Sequence, residues 1–71
     1  MVMYKSERYQ VPIWEKSNLS LDEAAAYFSI GKDKIRKITD DPYCEFVLFV
    51  GEKRLIKRRL MEQWLEGMHS I

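Results

Sequence analysis

The feature that most constrains the fold of this chain is a pair of short helical segments joined by a tight turn. The first segment has an explicit start, since Ser20 and Glu23 have the spacing of a capping box, in which two backbone donors at a helix N-terminus are satisfied. The second segment follows Gly31, which can take a turn geometry or serve as the next N-cap. Apolar residues recur at helical spacing in both segments. We therefore predict two helices packed together, with Ile30 docked between them.

The second helix, predicted from about Lys32 to Asp40, has two chemically different sides. Ile35 and Ile38 lie together at 100° per residue and face inward. The opposite side is mainly basic: Asp33, Arg36, Lys37 and Asp40 point away from the isoleucines, with Lys32 and Lys34 on the flanks. A solvated charged face is the simplest reading of such a helix. The short turn to a capped first helix favours a binding face instead.

The remaining chain predicts a hairpin and a closing helix. Pro42 ends the second helix, and the five apolar residues 46–50 predict a buried strand. Residues 51–53 form the turn and 54–56 the returning strand, which puts Lys53 and Arg54 at the hairpin tip. A last helix over 58–68 carries an apolar stripe of core residues. This order predicts an α+β fold, a small winged helix-turn-helix with a two-helix unit, a β-hairpin wing and a C-terminal helix.

Seventy-one residues make one domain. We divide it into an N-terminal leader, residues 1–18, that packs on the core, and the winged helix-turn-helix domain, residues 19–71. Ile13 and Trp14 are expected to fold back onto the core; the alternative is an exposed anchor for a partner protein. After the core is built we expect no apolar stripe to remain, which predicts a monomer off DNA.

Catalysis and metal binding have little support in the composition. Cys44 and His69 are the single cysteine and histidine, which provide no zinc-like ligand set and no intrachain disulfide. The three glycines are isolated, so there is no phosphate loop. No apolar run approaches a membrane span, and the N-terminus has no signal-peptide core. We predict a cytoplasmic protein without catalytic residues, cofactor or metal, and expect Cys44 to be buried, although a loop position is open.

Positive charge is concentrated in one part of a nearly neutral chain. Residues 31–59 carry nine Lys or Arg and five acids, a net charge of +4, while the whole chain has a net charge of +1. The basic residues fall on the second helix and around the hairpin, the elements that a winged helix-turn-helix applies to a DNA duplex. This placement predicts binding to double-stranded DNA.

The position of each basic residue predicts which part of the DNA it contacts. Arg36 and Lys37 are predicted to contact bases in the major groove, because Arg and Lys can bridge guanine O6 and N7. Asp33 could accept from cytosine N4, or simply stabilise the N-terminus of its helix. The others are predicted to contact phosphate or the minor groove: Lys32 and Lys34 beside the recognition face, Lys53 and Arg54 on the wing, and Lys57, Arg58 and Arg59 in part. With four to six phosphates neutralised, log K against log salt should have a slope of roughly −4 to −5.

Most of the chain, roughly residues 11–66, resembles the excisionase family of DNA-binding domains. The helix-turn-helix part of the resemblance lies in residues 19–25, 27–28, 30–31 and 33–38. The wing and closing helix match at 50–56 and 60–65, and the leader at 11–16 resembles excisionases of conjugative transposons. The chain departs from many relatives in the acidic turn at 40–43 and in Lys57, where a proline often opens the last helix.

The resemblance implies an architectural protein that binds and bends DNA near the ends of an integrated mobile element. It would assist a tyrosine recombinase (integrase) in excising the element and carry out no chemistry itself, with several copies able to bind one DNA. By position, Lys32, Asp33, Arg36 and Lys37 correspond to the recognition helix, and Lys53 and Arg54 to the wing. Two other functions are compatible with the same residues: a small transcriptional regulator, and a protein-interaction module that uses the basic face.

Overall fold

Three α-helices and a three-stranded antiparallel sheet make up the computed structural model, which describes residues 11–71. In chain order the elements are a 3₁₀ helix (Ile13–Glu15), β1 (Asn18–Leu19), α1 (Leu21–Phe28), α2 (Lys32–Thr39), β2 (Val47–Val50), β3 (Lys53–Lys57) and α3 (Arg58–Glu66). The predicted α+β winged helix-turn-helix is confirmed, with β2 and β3 as the wing. Residues 1–10 of the predicted leader lie outside the described residues.

The helix-turn-helix begins with the predicted capping box. The Glu23 backbone N–H donates to Ser20 Oγ at 3.1 Å, and the Ser20 backbone N–H donates to Glu23 Oε1 at 3.0 Å. α1 ends at Ser29, whose φ of 60° is left-handed, and Gly31 is the N-cap of α2. Gly31 therefore takes the N-cap role, while a serine adopts the left-handed conformation that turns the chain.

Replacing Ser20 by alanine should lower the free energy of unfolding by about 1 kcal/mol, because the Glu23 N–H loses its acceptor at the start of α1. In a domain of this size that corresponds to a fall in Tm of roughly 4–8 °C. Urea and thermal denaturation measure the change. Ser17→Ala is the matched control, since Ser17 is exposed and lies before β1. Equal stabilities of the two variants would contradict a stabilising cap.

β3 is the central strand of the sheet, whose order is β1-β3-β2. Ile56 of β3 pairs with Leu19 on one side and with Val47 on the other. Gly51 and Glu52 form a two-residue hairpin turn, and the left-handed φ of 61° at Gly51 is one that glycine accepts without strain. β1 was not predicted, and the proposed boundary after residue 18 falls inside it.

The prediction of a buried strand over 46–50 is wrong for its second half. Phe46 is buried, but Phe49 and Val50 are 56% and 51% exposed. β2 is an edge strand, and its residues next to the hairpin turn are exposed. Apolar content alone cannot distinguish an edge strand from a central one.

The core lies where the helices pack on the sheet. Its buried apolar members are Leu19, Ala24, Ile35, Phe46, Ile56 and Met61. Ile13 and Cys44, both half-buried, pack against this cluster, as predicted for Ile13. For Trp14 the prediction is wrong, because its side chain is 64% exposed. Leu60 and Tyr43 are also exposed.

A cluster of hydrogen-bonded polar side chains connects α3 to α1 and to the segment before β1. Glu62 accepts hydrogen bonds from the Tyr27 hydroxyl and from Arg58 Nη1, the latter at 3.1 Å. Arg58 Nε donates to the carbonyl oxygen of Lys16 at 2.6 Å. These contacts hold the pKa of Glu62 below its ordinary value of 4.5, chiefly through the Tyr27 hydroxyl and then through Arg58.

The lowered pKa of Glu62 should make stability depend on pH. A carboxylate whose pKa is lower in the folded chain stabilises the fold above the unfolded pKa, and this contribution is lost as the pH falls through the folded pKa. We expect the free energy of unfolding to decrease as the pH falls below about 4.5, and to decrease less steeply in Glu62→Gln. Urea denaturation at a series of pH values measures both slopes. Glu66→Gln, which removes an exposed carboxylate of α3, is the control; identical slopes in wild type and Glu62→Gln would contradict the expectation.

Candidate nucleic-acid interface

The two sides of α2 differ in the structure as the sequence predicts. Ile35 is fully buried, and Ile38 is half-buried against the core. The outer side is exposed along its whole length and carries Lys32, Asp33, Lys34, Arg36, Lys37 and Asp40. The buried side fixes the orientation of the helix, so its polar side is presented outward on a rigid support.

The cations of α2 differ in their partners. Lys32 Nζ lies 3.0 Å from Asp22 Oδ1, which ties the start of α2 to α1. Lys34 Nζ is 3.5 Å from the carbonyl oxygen of Ile71. Arg36 and Lys37 form no salt bridge with any carboxylate of residues 11–71. The two residues predicted to contact bases are therefore those whose side chains the described part of the fold leaves unpaired.

The two predicted wing residues point to different surroundings. Lys53 is exposed beside the hairpin turn. Arg54 instead reaches the last turn of α2, where its guanidinium donates to the carbonyl oxygen of Arg36 and to Thr39 Oγ1, both at 3.0 Å. It also forms a salt bridge with Asp40 at 3.0 Å. Lys53 is thus available to a ligand in a way that Arg54 is not.

The third basic group lies at the other end of β3. Lys57 pairs with Asn18 of β1. Lys57 lies four positions after Lys53 in β3, which is about 13 Å along a strand. Arg58 is only 16% exposed and is bonded to Lys16 and Glu62, so its guanidinium is used inside the fold. Arg59 is exposed. Of the three predicted phosphate contacts, Arg59 is exposed, Lys57 is half-buried, and Arg58 is engaged inside the fold.

A shallow groove lies between α2 and the β2–β3 hairpin. Its lining combines Lys32 and Arg36 of α2 with Glu52 and Arg54 of the hairpin and with the start of α1 at residues 20–22. Sequence reasoning missed the contribution of Asp22 and Glu52. Nothing local indicates it, because the three segments meet only when the sheet forms. The groove is mixed in charge, and the exposed positive surface lies mainly on the front of α2.

Within residues 11–71 no group of three His, Cys, Asp or Glu side chains is arranged to hold a metal ion. No helix of that part of the chain is both long and apolar enough to cross a membrane. Cys44 is half-buried in the loop before β2, and His69 is exposed after α3.

A winged helix-turn-helix with an exposed basic second helix and a short hairpin beside it is the class that this fold and surface define. Residues 3–71 match the family described as excisionase from transposon Tn916. A curated relative of that name from Streptococcus agalactiae serotype V (strain ATCC BAA-611 / 2603 V/R) is 31% identical over 62 residues, covering 86% of this chain and 92% of the relative. The chain belongs to the Tn916 excisionase family, and the resemblance to excisionases of conjugative transposons is confirmed.

Proposed function

We propose that this protein is an architectural DNA-binding excision factor that inserts α2 into the major groove near the end of a mobile element. The observation that carries the proposal is the exposed pair Arg36 and Lys37 on a helix whose opposite side is fixed by Ile35 and Ile38. An α-helix fits the major groove, and these side chains have the donors that guanine O6 and N7 accept. Sequence preference would come from this pair.

The remaining basic residues position the protein on the duplex. Lys32 and Lys34 flank the recognition face and contact phosphates, and Lys53 at the hairpin turn contacts the adjacent minor groove or backbone. Asp33 either accepts from cytosine N4 or stabilises the N-terminus of α2. Lys57 and Arg59 contribute to the long-range attraction of DNA. Phosphate contacts of this kind fix register, while base contacts determine sequence.

The partner proposed on the DNA is a tyrosine recombinase, and the protein itself carries out no chemistry. Membership of an excisionase family supports a role in removing an element from its host DNA. Such a role places the protein in the cytoplasm with the DNA and assigns bond cleavage to the recombinase. Several copies on adjacent sites would bend the DNA and strengthen weak single-site binding.

A fluorescence-anisotropy titration against a duplex from a mobile-element end and against a scrambled duplex tests DNA binding. We expect tighter binding to the element end and, for four to five neutralised phosphates, a slope of log K against log salt of roughly −4. Stimulation of recombinase-catalysed excision in vitro tests the second part of the proposal. Equal, weak binding to both duplexes at low salt in the anisotropy titration would overturn the proposed sequence-selective DNA binding.

A further inference from the structure

The side chain of Arg54 joins the hairpin to the C-terminal end of α2 through polar contacts. Its Nη1 lies 3.0 Å from both the carbonyl oxygen of Arg36 and Thr39 Oγ1, and its Nη2 lies 3.0 Å from Asp40 Oδ1. The guanidinium carbon is 5.2 Å from the centre of the Phe49 ring, its cross-strand partner. One planar group therefore touches the end of α2 on one side and the wing on the other.

We propose that Arg54 is a positioning residue that fixes the wing to the C-terminal end of the recognition helix, so that α2 and the hairpin meet DNA with one set spacing. This role differs from the direct wing–DNA contact predicted from the sequence. It rests on the proposed function, because a set spacing matters only if both elements bind one duplex. Arg54 acts through Arg36, whose backbone it holds and whose side chain faces outward.

The end of α2 is chemically suited to a guanidinium. The last carbonyl groups of a helix lack partners and carry partial negative charge, which favours a cation there. The carbonyl oxygen of Arg36 accepts the Asp40 N–H at 3.0 Å and still has acceptor capacity, so the Arg54 guanidinium can donate to it as well. Asp40 then neutralises the charge of the guanidinium.

Thr39 completes the arrangement. Its side chain is 2% exposed, and its hydroxyl donates to the carbonyl oxygen of Ile35 or Arg36, at 2.9 and 3.0 Å. With its proton directed to the backbone, Thr39 Oγ1 presents a lone pair to Arg54 Nη1. The hydrogen-bonding capacity of a buried hydroxyl is thus satisfied by the helix on one side and by the wing on the other.

These contacts require an arginine and not merely a positive charge. A guanidinium offers donors in a fixed plane and can bridge three acceptors, whereas the ammonium of lysine is a point charge on a flexible stem. A phosphate contact, in contrast, is tolerated by either cation. Because Arg54 already pairs with Asp40, the positive charge of Arg54 contributes little to the release of counterions from DNA. Arg54→Lys and the salt dependence therefore separate positioning from direct DNA contact.

The first test is made without DNA. NMR spectra of the ¹⁵N-labelled full chain should show slower rotation of the Arg54 guanidinium group, and slower exchange of its protons with water, than for Arg59, which is exposed. Rapid averaging of Arg54, as in Arg59, would overturn the inference whatever the DNA-binding result.

The second test compares binding of Arg54→Lys, Arg54→Ala and Lys53→Ala to element-end and scrambled duplexes over a range of salt. Both Arg54 variants should lose preference for the element end by about tenfold with the salt slope unchanged. Lys53→Ala should weaken binding to both duplexes equally and reduce the slope by about 0.9. Wild-type preference in Arg54→Lys, with a slope reduced by about 0.9 in Arg54→Ala, would establish a direct phosphate contact and overturn the positioning role.

The two tests separate this inference from the proposed function. A wild-type protein that binds both duplexes alike refutes the function, whereas the NMR comparison still decides whether Arg54 is held. Circular dichroism confirms that each variant is folded before its binding is measured. If Arg54→Ala does not fold, Arg54→Lys decides between the two roles: wild-type preference overturns positioning and a loss supports it.

Discussion

Replacing Arg36 and Lys37 together by alanine should remove the preference for element-end DNA. Both side chains are exposed on the front of α2 and lack salt bridges within residues 11–71. A well-placed base contact is worth about 1–3 kcal/mol of discrimination, so the loss of two should lower the preference by about 2 kcal/mol or more, a factor of about thirty or more. Anisotropy titrations against element-end and scrambled duplexes at one salt concentration measure the ratio.

The matched control removes the same two charges elsewhere. Lys57→Ala/Arg59→Ala acts at the far end of β3, where the side chains are proposed to attract DNA without reading bases. This variant should weaken binding to both duplexes by a similar factor and leave their ratio unchanged. A double variant of Arg36 and Lys37 that keeps the wild-type ratio would exclude the front of α2 as the base-reading surface.

The largest effect on stability is expected for Ile56→Ala. Ile56 is fully buried in the central strand, between Leu19 of β1 and Val47 of β2. Truncating a buried isoleucine to alanine costs about 2–5 kcal/mol through lost transfer free energy and an unfilled cavity. A domain this small has only modest stability, so a large part of it is removed. Urea denaturation followed by circular dichroism measures the change.

Val50→Ala is the control for Ile56→Ala. Val50 is also β-branched and lies in the neighbouring strand, but its side chain is 51% exposed. Val50→Ala should lose less than about 1 kcal/mol, because about half of Val50 stays in contact with water in the folded protein. A loss at Val50 as large as that at Ile56 would mean that the core is centred nearer the hairpin turn.

The helix-turn-helix could be predicted because its signals are local. The capping box of Ser20 and Glu23, the N-cap at Gly31 and the spacing of Ile35 and Ile38 act within a few residues of one another. The same spacing determines which side chains of α2 point outward. The outward-facing residues of α2 were therefore predictable residue by residue.

What could not be predicted depends on segments distant in sequence. β1 has two residues, too few for an alternating pattern, and it exists only because β3 supplies a partner. The direction of Arg54 follows from the position of the hairpin against α2, since a basic residue after a turn looks the same whether it points to solvent or to a helix end. The exposure of Trp14 likewise depends on where the 3₁₀ helix lies against α1.

The shortness of β1 also limits how neighbouring molecules can associate. An edge strand exposes unpaired backbone groups to which another chain can add, and a very short edge strand leaves few of them. Among residues 11–71 only Asn18 and Leu19 lie at that edge, so the described part of the sheet offers little backbone for extension on the β1 side. Copies of the protein placed side by side on one duplex would then meet through side chains on that side, and their spacing would follow the DNA instead of a continuous intermolecular sheet.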